Sequence, residues 1–172
     1  MMISVGLLLL RLTLGGIFLA HGAQKLFGLF GGPGLSGTTS FMDKLGLQPA
    51  KGWAIAAALG EFVGGLLMAS GLLTPVGAFL IAAVMLTSIL KVHRAKGFWN
   101  SQGGYEYNLV LFILSVALGL MGAGAWSLDT LLSLHIQSPL FYGIALVLLI
   151  ILGVLMEQPF ASWFKSAHPS HA

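Results

Sequence analysis

The chain has no cysteine, and only 8% of its 172 residues are charged. Without thiols, disulfide frameworks, thiolate metal sites, iron–sulfur clusters and thiol-relay redox chemistry are all excluded. Any redox role has to be cysteine-free. The shortage of charge is equally restrictive. Soluble domains carry roughly a quarter charged residues, whereas this chain is 57% hydrophobic with a mean hydropathy of +0.94. It is an integral membrane protein, and surface-to-core arithmetic for soluble domains does not apply. The net charge of +3 comes from basic residues scattered over several loops, which form no nucleic-acid-binding stripe. A cleaved signal peptide is not expected, because the first apolar run lacks a basic leader and a small-residue cleavage motif.

What is present is a series of long apolar runs. Five are long enough to cross a bilayer, at roughly 3–24, 53–72, 75–92, 107–125 and 140–156. Gly71 and Pro75 break the second run from the third and predict an antiparallel helical hairpin. The loops divide by charge. Lys25, Lys44 and Lys51 lie in one, Lys91, Arg94 and Lys96 in another, and Lys165 in the tail, while the N-terminus, the hairpin turn and the 126–139 segment carry no Lys or Arg. This bias places the basic loops in the cytoplasm, the N-terminus outside and the C-terminus inside. The 25–52 loop, rich in Gly, Pro and Ser/Thr, is expected to hold a short amphipathic helix. Trp53, Phe98, Trp99, Tyr105 and Tyr107 read as an interfacial aromatic belt.

Arg11 interrupts the first apolar run, and a guanidinium inside a span needs neutralisation. Arg11, Gly15, Phe18, Gly22 and Lys25 share one helical face, whose small residues admit a second helix at close range. Glu61 is the acidic residue deepest in a span, on a stripe with Gly64, Gly65 and Met68. Counted from the basic ends at about 1.5 Å per residue, Glu61 is ~15 Å deep and Arg11 ~20 Å deep. The expectation is an Arg11–Glu61 ion pair that anchors a pocket open toward the basic side.

Nearer that side, His21, Lys25, Lys91, His93 and Glu106 occupy span ends. They either converge on a polar site continuous with the Arg11–Glu61 pair, or serve locally as snorkelling lysines and histidines bonded to loop carbonyls. Haem ligation by His21 and His93 is disfavoured, since two histidines near span ends are a weak signal. No metal site is expected, the tail residues His168 and His171 included.

Three stretches in order, RLTLGGIFLAHGAQKL, LGEFVGGLLMASGLLTPVGA and KGFWNSQGGYEYNLVLF, resemble the successive signatures of the DoxX family of small bacterial membrane proteins over about residues 5–123. The matching positions are Arg11, Gly15, Phe18, His21, Gly22, Lys25, Glu61, Gly65, Gly104, Tyr105, Glu106 and Tyr107. The resemblance implies an all-α transmembrane bundle in a bacterial inner membrane, with a four-helix core at 1–125. Residues 126–172 add a linker, a fifth transmembrane helix and a polar tail to the same domain. It also implies an association with respiratory or sulfur-linked electron transfer at the quinone pool.

The resulting functional reading is an accessory or anchoring subunit of an oxidoreductase complex, rather than a stand-alone enzyme. The candidate cofactor is a quinone, and the candidate binding residues are Arg11, His21, Lys25, Glu61, His93 and Glu106. A carboxylate, Glu61 or Glu106, would exchange protons. A protein partner on the cytoplasmic side would supply electrons, and self-association is compatible with the same sequence. Two alternatives stay open: a membrane scaffold or assembly factor without redox activity, and a small carrier of a lipid or weak acid.

Overall fold

A computed structural model of the chain describes residues 2–134 and 139–157. Lys165, His168 and His171 lie outside the described residues. The apolar runs become helices: α1 (Met2–Phe27), α3 (Ala50–Ser70), α4 (Thr74–Ser88), α5 (Glu106–Met121) and α7 (Pro139–Glu157). Two short helices fall between them, α2 (Gly34–Lys44) and α6 (Leu128–Leu131). The helix expected inside the 25–52 loop is α2. α1, α3, α7, and α4 with its continuation to Lys96, are long and apolar enough to cross a membrane. The continuation consists of a π-helical turn, Ile89–His93, and a 3-10 turn, Arg94–Lys96. α5 has 16 residues, ~24 Å at 1.5 Å per residue, and runs antiparallel to α4.

The hairpin break falls where the sequence puts it. Gly71 ends α3 in the left-handed conformation, φ 65°, a geometry that costs other residues a Cβ clash. Leu73 is also left-handed, and Pro75 sits in the first turn of α4, where its missing N–H is not needed.

α1 and α3 form the most extensive helix pair, and glycine makes this possible. A Cβ at Gly15 would lie 2.5 Å from the Ala69 nitrogen, one at Gly22 2.4 Å from the Phe62 nitrogen, and one at Gly65 2.4 Å from the Leu19 nitrogen. The backbones are in contact, as expected where van der Waals packing rather than water expulsion drives association. The predicted face of α1 is the one that packs: Arg11, Gly15, Phe18 and Gly22 are buried. On α3 so are Glu61, Gly64, Gly65 and Met68. Leu14, Phe18, Met68, Ile81, Leu111 and Leu118 from four helices form the central core. A buried polar clasp joins α4 to α5, in which Asn108 Nδ2 donates to Ser88 Oγ at 3.0 Å.

α7 packs on the outside of α4 and keeps most of its apolar side chains outward, as a lipid-facing helix does. It is attached near both ends. The Tyr142 hydroxyl donates to the Gly119 carbonyl at 2.9 Å, and Met156, 2% exposed, joins Met42, Leu47 and Ala54 in a second core. Lys25, Lys44, Lys51, Lys91, Arg94 and Lys96 are gathered at one end of the bundle. The hairpin turn and the segment around Trp126 lie at the other, where Arg11 and Asp129 are the charged side chains among the described residues.

The α1–α3 contact can be tested by adding one carbon. Gly65→Ala forces Cβ into α1 backbone and should lower stability by about 3 kcal/mol, the upper range for overpacking. Gly16→Ala, where Cβ meets nothing within 4 Å, should be neutral or slightly stabilising. Thermal unfolding in detergent micelles distinguishes the two.

Candidate functional site

Arg11 is 1% exposed, but its partner is not Glu61. Nη2 donates to the Trp126 carbonyl at 2.6 Å, and Nη1 lies over Gly71, where a Cβ would stand 1.9 Å from it. The carboxylate acting on it electrostatically is Asp129. Asp129 is itself 9% exposed; its oxygens accept from the backbone N–H groups of Leu73 (2.7 Å) and Thr74 (3.0 Å), and its own N–H donates to the Gly71 carbonyl at 2.8 Å. A residue 55 positions away thus caps the N-terminus of α4. The guanidinium occupies the C-terminal end of α3, where the helix dipole favours a cation.

This corrects the expected Arg11–Glu61 pair, and the reason is register. With Gly15 packed on Gly65 and Ala69, Arg11 falls level with Gly71, and Glu61 lies ten residues back along α3, ~15 Å away. The depth count treated the basic ends of both helices as level, whereas α3 begins about two turns beyond the end of α1. Arg11 therefore leaves the candidate ligand site and belongs to the clamp at the opposite end. Asp129 gave a signal in sequence: it is the one acidic residue of a segment without Lys or Arg, inside a helix-start pattern, Ser127 to Thr130, whose Ser127 Oγ accepts from the Thr130 N–H.

Glu61 pairs instead with Lys25, through Oε1. The carboxylate side chain is 4% exposed and the lysine side chain 27%. Glu61 Oε2 is buried without a hydrogen-bond partner. The pair borders a cavity of about 290 Å³ between α2, α3 and α4 at the basic end. Its size derives from small residues: Ala56, Ala57, Gly60 and Ala83 stand where larger side chains would fill it. Phe41, Trp53 and Leu152 supply large apolar walls, and Lys91, carried on the π-helical turn after α4, is a second cation at the lining. A mostly apolar cleft with a few polar groups is the usual form of a small-molecule site. One Lys25 N–H is committed to Glu61, while an ammonium has three. The site can donate a hydrogen bond from Lys25 and accept one, or a proton, at Glu61.

The remaining predicted residues separate from this pair. His21 is exposed on α1. His93 sets its Nδ1 2.7 Å from the Gly103 carbonyl, which is the local role open to a span-end histidine. The Glu106 carboxylate accepts from the Asn100 N–H at 3.0 Å. His93 and Glu106 brace the 94–105 loop, in which Phe98 stacks edge-on against Trp99 and Tyr105. Of the polar set expected to converge, Lys25 and Lys91 reach the cavity with Glu61. Among the described residues no three His, Asp or Glu side chains are grouped as metal ligands.

Stability can separate the two charge clusters. Removing one member of a buried pair strands its partner at a cost of about 3 kcal/mol. Lys25→Met and Glu61→Gln should each destabilise the protein in denaturant titrations, and the double variant by clearly less than their sum. Combining Arg11→Met with Glu61→Gln should give additive losses, since the two sites are ~15 Å apart.

Comparison with known proteins follows the same lines. The DoxX family profile matches residues 6–94. CatD of Bacillus subtilis (strain 168), provisionally named an oxidoreductase, is 33% identical over 126 residues, covering 73% of this chain and 86% of its own length. The uncharacterized membrane protein Rv3486 of Mycobacterium tuberculosis (strain ATCC 25618 / H37Rv) is 31% identical over 134 residues, 72% of this chain and 79% of its own. No solved structure matches. The family match over residues 6–94 and the relatives at 33% and 31% identity show that the chain belongs to the DoxX family.

Proposed function

We propose that this protein is a quinone-binding accessory or anchoring subunit of a membrane redox complex, with the cavity at the basic end as its site. The observation that carries the reading is the Lys25–Glu61 ion pair at the head of an apolar cavity. A quinone needs just such a combination: an apolar enclosure for ring and tail, a donor for a carbonyl oxygen, and a proton-exchanging group beside it. The oxidoreductase name of a relative that is 33% identical supports the same direction.

When bound, the quinone supplies two-electron chemistry coupled to uptake of two protons. The chain's own residues position and protonate. Lys25 would hold a ring carbonyl through an N–H not used by Glu61, and Glu61 would relay protons from the basic side. Apolar walls from α2, α3 and α4 exclude bulk water. Electrons would come from a protein partner, for which the aromatic loop at 94–105, with Lys96, offers a docking face. The basic end faces the cytoplasm of a bacterial inner-membrane protein, by the charge bias of the loops.

Two measurements test this reading. Protein purified in mild detergent and extracted with organic solvent should release about one quinone per chain, and Lys25→Ala should lose it with the fold intact by circular dichroism. Wild-type protein without quinone would sink the proposal, and a stoichiometric protein in its place would favour the scaffold. The absence of native cysteine permits a clean topology test: Ser101→Cys should react with an impermeant maleimide in inverted vesicles, and Thr130→Cys in intact cells.

A further inference from the structure

α7 lies outside the segment matched by the family profile, which ends at residue 94. Yet it contributes Leu152 to the cavity headed by Lys25 and Glu61. The attachment is specific. α7 leaves most of its length to lipid, but Met156, one turn beyond Leu152, is 2% exposed and sits with Met42, Leu47 and Ala54. Glu157 pairs with Arg94, at the end of the segment that carries Lys91. α7 therefore turns Leu152 and Met156 inward against α2, α3 and the continuation of α4, at the level of the cavity, while Val154 and Leu155 on the same turns stay outward.

We infer that α7 is the specificity wall of the quinone site, and that Leu152 sets the size of ring the cavity accepts. The inference rests on the proposed quinone reading. Most other large wall residues belong to elements that also build the bundle, Trp53 to α3, Leu80 and Val84 to α4, Phe41 and Met42 to the helix clamped over α3, and Leu47, in the turn after that helix, is fully buried in the second core. Leu152 comes from the helix whose packing on the core is slight, so its side chain can change without disturbing the α1–α3 contact. In a cavity of about 290 Å³, the space one branched side chain adds or removes is felt by a ring-sized ligand. A methylene's worth of mismatch in an apolar pocket changes affinity roughly 10-fold or more. Lys25 and Glu61 orient the polar edge of the ligand, and α7 reads its breadth.

The test uses full-length protein in nanodiscs with two probes, a short-chain benzoquinone (one ring) and a short-chain naphthoquinone (two fused rings), binding being followed by calorimetry. Leu152→Trp should weaken benzoquinone binding about tenfold or more. Leu152→Ala should shift preference toward the naphthoquinone by about threefold or more relative to wild type, a partial gain on the same scale. Leu155→Trp, at a side chain 45% exposed on the outer face of α7, controls for bulk on this helix and should bind both probes as wild type does. Thermal unfolding checks that all three variants fold. If wild type binds neither probe, the quinone reading itself falls. If wild type binds but Leu152→Trp and Leu152→Ala retain its affinities and preference, the quinone reading stands and the assignment of α7 is overturned. A loss in Leu155→Trp equal to that in Leu152→Trp would also overturn it.

Discussion

Backbone contact between α1 and α3 is the constraint from which the rest of the structure follows. Gly15, Gly22 and Gly65 bring the two helices so close that each Cβ position is already occupied by the other chain segment. Such a surface has one register, because sliding either helix would drive Phe18, Leu19 or Phe62 into backbone. The register in turn decides which polar groups meet. It sets Arg11 against the end of α3 and Lys25 against Glu61, and so keeps Arg11 and Glu61 in two separate sites instead of one.

The two sites solve the same problem in different ways. Burying a charge in a low-dielectric bundle is costly unless it is paired or hydrogen-bonded. At the Asp129 end the solution is structural: Arg11 Nη2 bonds the Trp126 carbonyl, its Nε and Nη1 are buried without a hydrogen-bond partner at the end of α3, and Asp129, which acts on it electrostatically, also caps α4, so one knot ties α1, the hairpin and the following segment together. At the basic end the pair is left beside open volume. Lys25 is partly exposed, Glu61 Oε2 lacks a donor, and small residues hold the cavity open. A second cavity of the same volume, between α4, α5 and α7, is lined by no charged side chain, so what sets the basic end apart is a charge pair beside open volume.

α7 gives the fold an unusual economy. Most of its surface is spent on lipid, yet its last turn reaches the second core and the cavity wall. α7 is attached by the Tyr142 hydroxyl at its start and by Leu152, Met156 and the Glu157–Arg94 pair near its end. Its contribution is to the shape of a site made chiefly by other helices.

Composition and periodicity were sufficient for the all-helical membrane bundle, the five apolar helices, the break at Gly71 and Pro75, and the inward faces of α1 and α3. These follow from local rules: span length, helix-breaking residues, and the 3.6-residue repeat that aligns Arg11, Gly15, Phe18 and Gly22. Pairing of charges across helices was beyond those rules. It depends on how far one helix is shifted along another, and α3 starts about two turns past the end of α1, a stagger produced by the path of α2 and invisible in either span alone. For the same reason the carboxylate of Asp129, more than a hundred positions from Arg11 in the chain, and the reach of Leu152 into the cavity emerged only with tertiary structure. Residue type announced that a buried cation needs company; the geometry of close-packed helices chose which company it keeps.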